Sequence, residues 1–103
     1  MQKPTSSEPS ATTDGYAIRF FHNTTTADGD VLAIKDIRLS FVPFPGLKLD
    51  SLDGAGEDWF IDSVTWNFDE SRFDVDLASS SYLNQSRESC RNEYIDHGWQ
   101  ILQ

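Results

Sequence analysis

The sequence predicts an α+β fold, a curved, mostly antiparallel sheet of four or five strands with one C-terminal helix packed on it. Apolar and polar residues alternate in several separate runs, which is typical of half-buried strands. Near the C-terminus, one stretch combines helix-end residues with a narrow apolar stripe. Short segments rich in Asn, Asp, Gly and Pro separate these runs, as in antiparallel sheets. A half-open barrel is the same architecture with more curvature.

The chain has the size of one domain, with 103 residues, of which 38% are hydrophobic and 13% aromatic. These proportions supply enough apolar surface for a core and argue against a fully disordered chain. Residues 1–15 are rich in Ser, Thr and Pro and contain almost nothing to bury, so they predict a flexible tail. Residues 16–103 are expected to form the single α+β domain.

Two strands are predicted in the first half of the domain. Alternating apolar residues indicate a first strand over 16–22, followed by a turn over 23–30 with its sharpest point at Asp28-Gly29. A second strand is predicted over 31–42. Its apolar residues change parity around Lys35-Asp36, which predicts a bulge or bend there.

A hairpin is the strongest structural prediction, and it lies in the middle of the chain. A turn over Asp69–Arg72 would bring six apolar residues to one face, in the pairs Phe68 with Phe73, Trp66 with Val75, and Val64 with Leu77. The other face would carry Thr65, Asn67, Asp74 and Asp76. A short edge strand over Leu47–Leu49 is expected after Pro43 and Pro45, which cannot donate to a central ladder.

A helix is predicted from about Ser86 to His97. Ser86 suits the N-cap and Gly98 suits the position after the C-cap. Cys90 and Tyr94 lie four residues apart and would face the sheet. Residues 99–102 are expected to form a last strand or a docked extension.

The charge is strongly acidic and unevenly distributed. Seventeen acids and eight bases give a net charge of −9. Residues 50–76 hold nine acids and one base, a net −8. Such a field repels nucleic acid and anionic membranes, and it favours a partner with a basic surface. Solubility alone also explains an acidic composition.

The single cysteine excludes an intrachain disulfide and a cysteine zinc site. A reducing, cytoplasmic location is therefore the default expectation, since the N-terminus lacks an apolar signal segment. No apolar run approaches the ~20 residues that span a bilayer. The sequence gives no reason to expect a cofactor.

The sequence does not favour three kinds of chemical site. The loop 50–58 offers carboxylates for calcium, but its spacing does not match an EF-hand loop. Cys90 and His97 would be ~10.5 Å apart on one helix, too far for a nucleophile and its base. His22 could meet Cys90 only through tertiary folding. Asp74 and Asp76 share a strand face, but an open sheet gives them no cleft for acid–base work.

Partner binding is the favoured function, of the kind expected for an inhibitor, an immunity protein or a mimic of nucleic-acid charge. Trp59 and Phe60 are adjacent and point to opposite faces of a strand, so one of them could be an exposed anchor. Burial of Trp59 under the loop 41–46 is the favoured alternative to its exposure. The predicted partner-binding residues are Asp50, Asp53, Glu57, Asp58, Trp59, Asp74 and Asp76.

Other classes remain open. A small-molecule carrier would bind its ligand between sheet and helix, against Trp66, Phe68, Phe73 and Tyr94. A subunit of a larger assembly is a further alternative, and the edge strand is compatible with a homodimer. An enzyme is not supported, because no catalytic constellation or metal-ligand pattern is found.

Overall fold

The computed structural model of the protein describes residues 15–52 and 57–102. The predicted tail lies outside the described residues except for Gly15, whose carbonyl oxygen accepts a hydrogen bond from the Arg38 guanidinium at 3.2 Å. Asp53, one of the predicted partner-binding residues, also lies outside them. Within the described ranges, no helix is long and apolar enough to cross a membrane.

The predicted fold class is confirmed, with more strands than expected. The described residues form one curved, mostly antiparallel sheet of seven strands and one C-terminal helix. In chain order the elements are β1 (Tyr16–Thr26), β2 (Gly29–Leu39), β3 (Lys48–Asp50), β4 (Asp58–Asn67), β5 (Arg72–Leu77), β6 (Ser80–Tyr82), α1 (Arg87–Asp96) and β7 (Gln100–Ile101). Six strands lie in the order β3-β4-β5-β1-β2-β7, and β6 pairs with β1.

The first hairpin is longer and more regular than predicted. β1 and β2 pair without interruption from Tyr16 opposite Leu39 to Thr26 opposite Gly29, and only two residues connect them. The predicted bulge near Lys35 is absent from this register. It is not needed because Val31 and Ala33, both fully buried, already share a face with the apolar residues at the other end of β2.

The central hairpin forms with a register two residues away from the predicted one. Trp66 pairs with Phe73 and Val64 with Val75, so the predicted pairing of Trp66 with Val75 is wrong. The four-residue loop begins one residue earlier, at Phe68, because the Asn67 side chain accepts the Glu70 N–H at 3.1 Å. A shift of two residues leaves each strand residue on its predicted face.

Two details of this hairpin differ from the prediction. Phe68 belongs to the loop and is 69% exposed, so it does not join the core. A bulge places both Asp62 and Ser63 of β4 opposite one position of β5. The extra residue changes the parity of the strand, so that Trp59 before the bulge and Trp66 after it both pack against the core.

The central strand β1 has parallel partners on one side. β5 pairs with its first half, from Ile18 to Phe21, and β6 pairs with its second half, from Thr24 to Thr26. Two consecutive strands therefore pair with successive halves of β1. The pairing is interrupted around Ala78, whose N–H bonds instead to the Phe60 carbonyl oxygen at 2.8 Å. This step brings β6 close to the helix that follows it.

The helix begins and ends where the sequence predicts. Ser86 is the N-cap and accepts the Ser89 N–H at 3.1 Å. Asp28, in the turn between β1 and β2, accepts the Arg87 N–H at 2.7 Å, which ties the helix to the sheet and lowers the pKa of that carboxyl. At the other end, Gly98 has φ 86° and the helix closes with a Schellman motif.

The core lies between the inner face of the sheet and the helix. Phe20, Val31 and Val75 are fully buried in it, and the helix contributes Cys90 and Tyr94 as predicted. Trp99, directly after the helix, is 3% exposed and completes this side of the core. Packing of Trp99 fixes the direction in which the chain enters β7, which pairs with the outer edge of β2.

Candidate functional site

A chain of buried polar side chains runs through the core where β1, β6 and α1 meet. The Tyr94 hydroxyl lies 2.5 Å from His22 Nδ1 and 2.6 Å from Thr24 Oγ1. His22 Nε2 lies 3.1 Å from Ser80 Oγ. His22 and Thr24 are only 3% and 1% exposed, so these groups depend on one another for hydrogen bonds.

The fold dictates this arrangement through strand alternation. His22 and Thr24 both point inward from β1, and the parallel pairing of β6 places Ser80 beside Thr24. Tyr94 reaches them from the inner face of the helix. The arrangement therefore needs three elements that are far apart in sequence.

Cys90 lies at the end of this row of buried polar side chains and is itself buried. Burial raises the pKa of its thiol, and the hydrogen bond with the Thr24 hydroxyl opposes this only in part. A protonated, buried thiol is a poor nucleophile. Cys90 is therefore best described as a core residue.

Aromatic rings surround His22. Its imidazole contacts Trp59 edge-on, with ring centroids 4.6 Å apart, and also contacts Tyr94 at 5.8 Å. The ring centroids of Trp59 and Trp99 lie 5.3 Å apart. This packing holds the imidazole in one orientation toward its two hydrogen-bond partners.

A small cavity, here called the inner cavity, opens over these buried groups. Its volume is about 60 Å³, and its floor is formed by His22, Thr24, Trp59, Cys90 and Tyr94. A shallower groove of about 320 Å³, here called the outer groove, is lined by four of the same residues, namely His22, Glu57, Trp59 and Tyr82. The two concavities are therefore neighbours.

The rim of the inner cavity is acidic. Glu57 and Glu93 line it, together with Tyr82, which is 43% exposed. Burial raises the pKa of Tyr82, and the charges of Glu57 and Glu93 raise it further. Both carboxylates therefore act on the same phenol, although they come from different parts of the chain.

A second candidate surface is the outer face of β3 and β4, here called the acidic face, formed by Asp50, Asp58, Phe60 and Asp62. Asp50 and Asp58 lie directly opposite each other in the ladder, and both are exposed. Phe60 is on the same side of β4 and is 49% exposed. Two like charges in this position cost stability, and Lys48, which lies opposite Phe60 in the same ladder, brings its Nζ to 3.8 Å from Asp58.

The other predicted partner-binding residues lie in different surroundings. Asp76 is exposed on β5 and accepts a hydrogen bond from Ser63 Oγ at 2.9 Å. Asp74 is paired with the Arg72 guanidinium at 2.7 Å, so its charge is compensated. Glu57 belongs to the inner cavity rather than to the acidic face.

Trp59 is not an exposed anchor. It is 7% exposed and packs against His22 and Trp99 in the core, whereas its neighbour Phe60 points to solvent. Inward and outward alternation along β4 requires one of the two to be buried. The larger indole occupies the buried position.

Of the four aromatic residues predicted to line a ligand pocket, three lie together and Tyr94 lies apart from them. Phe73 pairs with Ile18 on β1, whereas Tyr94 contacts His22 and Thr24, four to six residues further along that strand, or about 13–20 Å. Trp66 contacts both Phe68 and Phe73, with ring centroids 6.1 and 5.0 Å apart. Tyr94 alone of these four lines the inner cavity.

The sequence pattern does not predict that the residues of the inner cavity come together. His22 gave one signal, because it continues the inward parity of Tyr16, Ile18 and Phe20. Ser80 and Tyr82 gave none, because the segment around them has no apolar alternation. Among the described residues, no group of three or more His, Cys, Asp or Glu side chains could hold a metal ion.

Comparisons with protein-family models, with curated proteins and with solved structures gave no match for this chain.

Proposed function

We propose that this protein is a non-enzymatic binding protein that recognises a basic protein partner through the acidic face. The observation that carries the proposal is the direct opposition of Asp50 and Asp58 beside the exposed ring of Phe60. An aromatic side chain surrounded by charged residues is typical of the centre and rim of a binding surface. A basic partner would relieve the repulsion between the two carboxylates.

Intramolecular pairing compensates little of this charge. Lys48 Nζ lies 3.8 Å from Asp58, and both side chains are at least half exposed, so the pair contributes little to stability. The net charge of −9 adds a long-range attraction for a basic surface. Complementary charge accelerates association and makes it dependent on salt.

A further exposed apolar residue lies in the loop that leads into the strands of the acidic face. Phe44, 53% exposed, lies in the proline-containing loop before β3. That loop is joined to β4 by a hydrogen bond from the Gly46 N–H to the Ile61 carbonyl oxygen at 2.8 Å. An apolar contact area of this kind would supply affinity that does not depend on salt.

The test combines affinity capture with matched charge variants. Partners captured from a lysate at low salt are identified, purified and titrated against the wild type, against Asp50→Asn/Asp58→Asn and against Phe60→Ser. We expect each variant to weaken binding at least tenfold, because it removes the charge complementarity or the aromatic anchor.

The control is Asp69→Asn/Glu70→Gln, which removes the same charge from the β4–β5 loop. It should change affinity less than threefold. Equal losses in the control and the face variants would mean that net charge alone attracts the partner. A partner that is basic but binds all variants equally would contradict the proposal.

A further inference from the structure

We infer that the inner cavity receives a primary alkylammonium group, the side chain of a lysine of the basic partner. This inference rests on the proposed function. It adds a specific pocket to a surface whose recognition of the partner otherwise depends on charge and on exposed apolar side chains.

The outer groove connects the two candidate sites. Asp58 and Phe60 of the acidic face line it, and so do His22, Trp59 and Tyr82, which also line the inner cavity. A chain docked over Phe60 therefore lies next to the cavity. A lysine side chain is long and unbranched enough to extend from such a chain through the groove.

The size of the inner cavity suits the end of a lysine side chain. A water-sized position needs roughly 10–15 Å³, so about 60 Å³ provides about four to six of them. The terminal part of lysine beyond Cβ has four non-hydrogen atoms, three carbons and the nitrogen. A planar, branched guanidinium occupies more width and fits less well.

The chemistry of the rim suits an ammonium ion. Glu57 and Glu93 supply two carboxylates, and no Lys or Arg side chain is among the described residues that line the cavity. The exposed ring of Tyr82 offers a face for a cation–π contact. An ammonium group has three donors, which match the two carboxylates and a hydroxyl oxygen of the floor.

The hydroxyl oxygens of the floor can accept from such a ligand. In one consistent arrangement, Thr24 donates to Tyr94 and Tyr94 donates to His22 Nδ1. Each hydroxyl then retains lone-pair capacity for a further donor. An anion, in contrast, would face the two glutamates with no Lys or Arg side chain among the described lining residues to compensate them.

The experiment uses n-butylammonium, n-butanol, trilysine and triarginine as probes, followed through the fluorescence of the tryptophans. We expect n-butylammonium to bind at least tenfold more tightly than n-butanol, and trilysine more tightly than either. Trilysine should also bind more tightly than triarginine. Glu93→Gln should weaken the binding of n-butylammonium and of trilysine at least fivefold. Glu88→Gln, an equal charge change on the exposed side of the same helix, should leave both unchanged.

The outcomes separate this inference from the proposed function. Loss of trilysine binding in Asp50→Asn/Asp58→Asn, with no effect of Glu93→Gln, would support binding by the acidic face and overturn the assignment of the ammonium group to the inner cavity. Loss of trilysine binding in Glu93→Gln alone would support the ammonium site in the inner cavity and contradict the proposed role of the acidic face. Equal affinities for n-butylammonium and trilysine would overturn the assignment to a lysine of a partner and indicate a free amine.

Discussion

At the scale of single residues, Tyr94 organises the buried polar chain. Its hydroxyl contacts both His22 Nδ1 and Thr24 Oγ1. Burial raises the pKa of this phenol strongly, so it stays protonated and can donate to one neighbour and accept from the other.

Tyr94→Phe should therefore destabilise the protein by about 1–3 kcal/mol, because it leaves two buried polar groups without this partner. Urea unfolding followed by far-ultraviolet circular dichroism measures the loss. Tyr82→Phe, which removes a hydroxyl from a partly exposed ring, should change stability by less than about 0.5 kcal/mol. A Tyr94→Phe variant as stable as the wild type would show that the buried chain does not contribute to folding.

At the scale of elements, the helix end directs the chain into the core. The Trp99 N–H bonds to the Tyr94 carbonyl oxygen at 2.9 Å and the Gly98 N–H bonds to that of Ile95 at 3.1 Å. These two bonds require a left-handed residue at Gly98. They place Trp99 against Trp59 and under Lys35 Nζ, which lies 5.7 Å from the ring centroid.

Gly98→Ala should cost about 1 kcal/mol or more, because alanine resists this backbone conformation and its Cβ would lie 2.9 Å from Lys35 Nζ. Gly46→Ala is a matched control, with φ 89° but no atom within 4 Å of the added Cβ. The Gly98 variant should lose more stability in thermal unfolding, and it should also change tryptophan fluorescence. Equal losses at both positions would assign the effect to backbone strain alone.

Local signals were sufficient to predict the helix and most of the strands, but not β6 and not all of the pairings. Ser86 and Gly98 act on their own helix, so the sequence located both helix ends. The register of the central hairpin depended on the Asn67 side chain, whose hydrogen bond to the loop is not encoded in the apolar alternation. The inner cavity needed the parallel pairing of β6 with β1, a contact between distant segments that no local pattern predicts.

At the scale of the whole molecule, three acidic groups with raised pKa values lie around one cavity. They are Cys90, Tyr82 and Tyr94, and burial is the largest cause for each. In the unfolded chain these groups ionise near pH 8.5–10, whereas the folded protein holds them neutral to higher pH. Their contribution to stability is therefore complete below their unfolded pKa values and is lost as the pH rises through the folded ones.

The free energy of unfolding should consequently fall between pH 9 and pH 11. A group that is ionised only in the unfolded state contributes a slope of about 1.4 kcal/mol per pH unit. Chemical unfolding at several pH values measures the slope, and Tyr94→Phe should make it less steep. A slope unchanged by Tyr94→Phe would indicate that this phenol is not shielded from solvent.

The parallel neighbours of β1 have a consequence for how the polypeptide acquires its shape. β1 lies near the start of the chain, but the strands that flank it on one side end at Leu77 and Tyr82, and the core also requires Trp99. During synthesis, one apolar side of the first hairpin therefore stays uncovered until the residues up to Trp99 have emerged. Contacts of such long sequence separation slow folding, so assembly should be rate-limited by closure of this side rather than by formation of the helix.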